Sequence, residues 1–169
     1  MLYKKEIIMG NKIKNKEKDK SKKHQTLANP LVDKLNLTLA SYQVHYQNLR
    51  GIHWNIKGKN FFELHVKFEE LYTDAQVKID EIAELILTLG YQPLHTFSDY
   101  IENSKVKPAK NISKDSEAVE MIVADLKALV QIEKEVFELA EGNISVEDLM
   151  TQFIAFQEKT LWMYKAWLG

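Results

Sequence analysis

Two histidines, His53 and His65, stand twelve residues apart in the stretch GIHWNIKGKNFFELHVKFEE (51–70), among aromatic rings and carboxylates. Glu69 follows His65 by four residues, so the two share a face of any helix that carries them, and Asp80 and Glu84 repeat that spacing further on. Imidazoles combined with several carboxylates form a donor set for a divalent transition metal, better suited to iron or zinc than to magnesium. The pairs lie 15 residues apart, which is about 60° around a helix but about 22 Å along it. One copy of the helix cannot bring both to one ion. Two copies packed antiparallel about a two-fold axis near Asp74 and Ala75 can, because position 65 then faces about position 84 and 69 faces about 80. His53, just across a short connection, would complete each of two identical sites. The competing reading makes the histidines satisfied core residues and places Asp80 and Glu84 on a solvated face with Glu63, Glu70, Asp74 and Glu81.

The elements that must position these residues read as helices. In 30–55, Leu35, Leu39, Tyr42, Tyr46, Leu49 and His53 step by fours and threes, and Pro30 stands near the first turn, where its missing N–H is harmless. In 61–89 the line is Phe61, His65, Phe68, Tyr72, Ala75, Ile79, Ile82, Ile86 and Leu89, with Asn60-x-x-Glu63 as a capping box and Gly90 as the stop. A third helix spans 116–141 through Val119, Ile122, Leu126, Leu129, Val136 and Ala140, and ends at Gly142-Asn143. Ser145-x-x-Asp148 opens a fourth, to 168, through Leu149, Phe153, Phe156, Leu161, Tyr164 and Trp167. The first and last pairs are joined by short links and must be antiparallel. About 25 residues separate the middle pair, long enough to cross the bundle, and HTFSDYIENSK (95–105) within them predicts a short helix. The fold class is all-α: a four-helix bundle with one long crossover, the ferritin-like arrangement. Such bundles usually hold paired iron through Glu-x-x-His motifs, which this sequence lacks, so an iron pair inside one bundle is not expected.

Composition narrows the function further. The chain has 169 residues, 45% of them hydrophobic, enough for one domain with a core. It has no cysteine, which excludes disulfides, thiolate metal sites and cysteine nucleophiles and fits a cytoplasmic protein. No apolar run approaches a membrane span, and the first residues are not expected to be a signal peptide. The net charge of −1 divides unevenly: 1–23 carry nine lysines against Glu6, Glu17 and Asp19, a balance of +6, and the remainder carries −7. A basic arm (1–28) is thus attached to an acidic body (29–169).

The motif HWNIKGKNFFELHVKFEELY followed by IDEIAELILTLGYQP resembles the Dps family (DNA-binding proteins from starved cells, the mini-ferritins) over roughly residues 30–169. That resemblance implies a hollow dodecameric shell with ferroxidase sites between two-fold-related subunits. It implies that His53, His65, Asp80 and Glu84 are iron ligands, that Glu69 stands where many members have aspartate, and that Trp54 lies beside the iron and quenches radicals. The implied chemistry oxidises Fe(II) with hydrogen peroxide, or with oxygen, and stores ferric mineral. Val66 departs from the pattern, since the residue after the second histidine is often acidic in the family. Iron entry is expected in the stretch EGNISVEDL (141–149), with Asp148 the leading pore residue and Glu147 and Glu141 behind it. The plainer role for Asp148 is to cap the fourth helix.

The arm also looks like those of DNA-binding members. Lys4, Lys5, Lys12, Lys14, Lys16, Lys18, Lys20, Lys22 and Lys23 are mobile point charges suited to phosphate rather than to base edges. On a helix they would carry charge all round, which suits sequence-independent DNA contact on the nucleoid and not a membrane surface. A solubilising tail is the alternative. Three functions follow: a ferroxidase and iron store that protects DNA from oxidative stress; a DNA-compacting shell with an idle site; and a plain iron store whose arm never meets DNA.

Overall fold

The computed structural model describes residues 29–169, and every element among them is helical. The order is α1 (Pro30–Asn55), α2 (Phe61–Thr88), the short α3 (Phe97–Asn103), α4 (Asp115–Ala140) and α5 (Ile144–Leu168). Helices α1 and α2 form one antiparallel pair and α4 and α5 another; α1 packs on α4 and also on α3, which the crossover carries. Each long helix turns large apolar side chains inward: Leu35, Leu39 and Leu49 from α1, Phe68, Ile82 and Ile86 from α2, Ile122, Leu126 and Leu129 from α4, Phe153 from α5. The lysine arm lies outside the described residues.

Helix ends follow local chemistry. The Asn29 side chain accepts hydrogen bonds from the Leu31 and Val32 amides, at 3.1 and 3.3 Å, and Pro30 fills the first turn. Gly90 closes α2 at φ 84°, with Tyr91 N–H returning to the Ile86 carbonyl at 3.1 Å. Two expected caps do not form. Asn60 makes no side-chain cap; its amide donates instead to Asp115 at 2.7 Å and ties the start of α2 to the start of α4. Asn143, not Ser145, caps α5 and accepts from the Val146 amide.

The buried line of α5 runs Val146, Met150, Phe153, Gln157 and Thr160, rotated by about one position from the expected one. Phe156 is 41% exposed in this single chain. Gln157 is tolerated inside because it donates to Tyr42, and Thr160 because its hydroxyl donates to the Phe156 carbonyl.

Polar residues of α1 fasten the crossover. Asn36 accepts from Leu94 N–H at 2.8 Å, Ser41 from Lys105 N–H at 3.1 Å, and Asn48 accepts from Ala109 N–H and donates to the Lys107 carbonyl. Asn48 also donates to Asp125, whose carboxylate lies 3.0 Å from His45 Nδ1. His45 and Asp125 form a buried pair linking α1 to α4, although the sequence gives His45 no role.

Candidate metal centre

His53 lies in the last turn of α1 and is buried; His65 lies one turn into α2 and is half-buried. The short α1–α2 link brings the helix ends together, so the two imidazoles stack with centroids 3.8 Å apart and planes 19° from parallel. Each ring hydrogen-bonds the other's backbone: His53 Nδ1 to the His65 carbonyl at 2.8 Å, and His65 Nδ1 to the His53 carbonyl at 2.9 Å. A carbonyl only accepts, so both Nδ1 atoms carry the proton. In the neutral imidazole this leaves the Nε2 lone pair to face outward, the tautomer a metal requires. The His53 carbonyl is available for this because α1 ends two residues later.

The rings are held from both sides. Phe61 stacks on His65 at 5.0 Å and Tyr72 stands edge-on to His53 at 5.3 Å. Glu69, one turn beyond His65, is exposed, and its charge reaches Tyr72: the Tyr72 phenol is raised above its ordinary value, by desolvation first and then by that carboxylate. The Trp54 indole is 57% exposed, and the Arg50 guanidinium covers its face at 4.6 Å.

Asp80 and Glu84 are exposed near the far end of α2. Among the described residues of one chain, no three histidine or acidic side chains converge on a single point. Within the chain, then, His53 and His65 come together, Glu69 stands one turn along, and Asp80 and Glu84 stay remote. At the start of α5, Glu147 accepts from Gly142 N–H at 2.7 Å and so serves the turn. Asp148 is exposed and bonded to the Gln152 amide at 2.9 Å, not to a backbone N–H, so it is not a cap. Glu141 is exposed in the left-handed turn at φ 41°.

A second polar group, missed from sequence, occupies the bundle centre: Tyr42, Lys78, Glu133 and Gln157, all buried. A signal was present, because Glu133 sits four residues after Leu129 and three before Val136 on the apolar line of α4.

The chain matches the Ferritin-like domain family over residues 32–169. It is 40% identical over 147 residues to the DNA protection during starvation protein of Porphyromonas gingivalis, covering 86% of this chain and 92% of that protein. It is 36% identical to DNA protection during starvation protein 2 of Bacillus anthracis, over 82% of this chain and 97% of that one. Among solved structures, Dps from Vibrio cholerae O1, a member of a broad superfamily of ferritin-like diiron-carboxylate proteins, is similar with TM-score 0.81 and 45% identity, over 83% of this chain and 89% of that chain. Dps from Staphylococcus aureus gives TM-score 0.80 at 36% identity, over 82% of this chain and 95% of that one. With most of its length matched at these identities, the chain belongs to the Dps family of ferritin-like proteins.

Proposed function

We propose that this protein binds ferrous iron at sites shared between two copies of the chain and oxidises it with hydrogen peroxide, or with oxygen. The ferric product is stored inside a closed dodecameric shell that coats and protects DNA. The observation that carries this reading is the reciprocal His53–His65 lock, which presents two Nε2 lone pairs side by side and fixes them before iron arrives. His53 and His65 bind the ferrous ion from one subunit, and Glu69 bridges or orients. Asp80 and Glu84 come from the two-fold mate.

The outer face of α2 supports the pairing. Phe62, Val66, Glu69, Thr73, Val77, Asp80, Glu84 and Leu87 step by threes and fours along one stripe, and Phe62, Val66, Val77 and Leu87 are 84%, 51%, 54% and 58% exposed. An antiparallel copy that sets 65 against about 84 also sets Phe62 against about Leu87, so the same register covers the apolar ends and assembles the donors. The anionic carboxylate oxygens favour the more highly charged Fe(III), and peroxide takes one electron from each of two ferrous ions and, with two protons, leaves as water. Trp54 lies next in the chain to His53 and is placed to absorb stray oxidant. Asp148 and Glu141 are the exposed acids assigned to iron entry, since Glu147 is committed to its turn.

The lysines of 1–23 supply phosphate contacts, and a shell that repeats them binds DNA multivalently without reading sequence, on the nucleoid in the cytoplasm. Val66 beside His65 favours a second reading, a DNA-compacting shell with an idle site.

Shared sites are tested by mixing. In shells reassembled from equal amounts of His65→Ala and Asp80→Ala subunits, half the two-fold pairs are mixed, and each mixed pair holds one intact site. About a quarter of the wild-type ferroxidase capacity returns, where each variant alone has none. No recovery from properly reassembled shells contradicts sites built across the two-fold axis.

A further inference from the structure

The polar cluster in the bundle centre has a fixed proton arrangement. Gln157 Nε2 donates to the Tyr42 phenol oxygen at 2.6 Å, so the phenol's own hydrogen points the other way, to Glu133 Oε1 at 2.5 Å. Glu133 Oε2 is buried without a partner. Lys78 pairs with Asp74 and lies over the rings of Phe156 and Phe153, at 4.1 and 5.1 Å. Burial pushes the Tyr42 phenol well above its ordinary value and lifts the Glu133 carboxyl to about 7. Tyr42 therefore does not ionise as an acid, while Glu133 is a base that gains by taking up a proton.

Tyr42 is also the inner end of an aromatic line that starts at the metal centre. Tyr72 stands 5.3 Å from His53, Tyr46 stands 6.1 Å from Tyr72, and Tyr42 is one turn from Tyr46 on α1. Tyr46 is a poor resting place for positive charge, because the Arg50 guanidinium lies over its ring at 5.3 Å.

We propose that Tyr42 is a redox-active tyrosine that traps one-electron oxidising equivalents escaping the metal centre, and that Glu133 receives its proton as the electron leaves. The inference rests on the iron-oxidising reading above. When a lone ferrous ion reduces hydrogen peroxide, the O–O bond breaks and the products are ferric ion, hydroxide and a hydroxyl radical. That radical takes one electron, relayed through Tyr72 and Tyr46, and becomes a second hydroxide. The electron comes from Tyr42: its O–H bond breaks, the proton moves to Glu133 Oε1, and a neutral phenoxyl radical and a neutral carboxylic acid remain. The core exchanges a buried carboxylate for two uncharged groups, which is the direction burial favours.

The test uses the full-length assembled protein, loaded anaerobically with less ferrous iron than it has sites, mixed with hydrogen peroxide and freeze-quenched. Electron paramagnetic resonance reads the radical, and a ferrous chelator reads the iron left in the same sample. Wild type is expected to give a persistent tyrosyl signal that narrows with ring-deuterated tyrosine. Tyr42→Phe loses it. Glu133→Gln also loses it, because the amide still accepts the phenol's hydrogen bond but cannot take its proton. Iron consumption is the same in all three. An unchanged tyrosyl signal in Tyr42→Phe, or a full yield in Glu133→Gln, overturns the proposal. If a variant does not assemble, the β-methylene splitting of the wild-type signal decides, since it follows the ring torsion; a splitting incompatible with the Tyr42 torsion overturns it equally. Ferrous iron consumed with no Tyr42-dependent radical removes this inference alone. Ferrous iron left unconsumed by the wild type removes the oxidase reading, and this one with it.

Discussion

Replacing Glu133 by glutamine is expected to stabilise the protein above neutral pH. Glu133 is fully buried among four helices, and burial is the largest cause that lifts its carboxyl from 4.5 to about 7; Tyr42 and Lys78 pull it back, and Asp74 and Glu158 push it further up. At ~1.36 kcal/mol per pH unit, keeping this group ionised costs the fold about 3 kcal/mol. The sign follows from proton binding. The folded state holds the proton more tightly than the unfolded state, so this group's contribution is most favourable below about 4.5. It declines as pH rises to about 7 and is flat above. Glu133→Gln preserves the neutral shape, keeps an acceptor for Tyr42, and leaves Lys78 paired with Asp74. The cost of ionisation already includes the attraction to Lys78, so the variant gains about 3 kcal/mol at pH ~8 and less than about 1 kcal/mol at pH ~5. Chemical denaturation of wild type and variant at the two pH values, at equal subunit concentration because assembly adds to stability, measures both differences. A variant less stable than wild type at pH ~8 would refute the reasoning, and so would an equal difference at both pH values. The first result would mean that the Glu133–Lys78 attraction outweighs the burial cost, and the second that Glu133 does not change protonation between the two pH values.

Other outcomes follow from single contacts. His45→Ala strips the buried Asp125 of its imidazole and leaves only the Asn48 amide, so stability falls by about 3 kcal/mol in denaturant titration; a loss well under 1 contradicts the buried pair. Asn143→Ala costs about 1 kcal/mol through the lost cap, whereas Ser145→Ala costs almost nothing; the reverse order would restore Ser145 as the cap. Deleting residues 1–23 abolishes the gel shift of duplex DNA while the shell and its iron uptake persist, and wild-type binding weakens steeply with added salt; an unchanged shift after the deletion contradicts the arm's role.

Hydrophobic spacing made the four long helices legible, because burial of one face dominates their formation and leaves a period of threes and fours. Caps were less legible. Asn60 and Ser145 have the right type and spacing, but Asn60 is drawn to Asp115, 55 residues away, and Asn143 reaches the first turn of α5 earlier. Phe156 drew the expected buried line of α5 one position aside, because Gln157 looks like a surface residue until Tyr42 is seen to bond it. The His45–Asp125 pair spans 80 residues and leaves no local trace. The candidate site divides the same way. The meeting of His53 and His65 was readable because a short link joins their helices, and the position of Glu69 because it follows His65 by one helical turn. The assignment of Asp80 and Glu84 to the partner rests on length arithmetic, which the α2 stripe supports through its exposed Phe62 and Leu87. The tautomer lock was invisible, because backbone carbonyls that accept from side chains leave no mark in a sequence.

The most direct measurement is an anaerobic titration of the assembled protein with ferrous iron, followed by hydrogen peroxide, alongside a His53→Ala/His65→Ala double variant. Saturable binding of about one or two irons per subunit with rapid oxidation, both lost in the double variant, is the predicted result. Binding no greater than in the variant would contradict it and leave a ferritin-like shell whose site is idle.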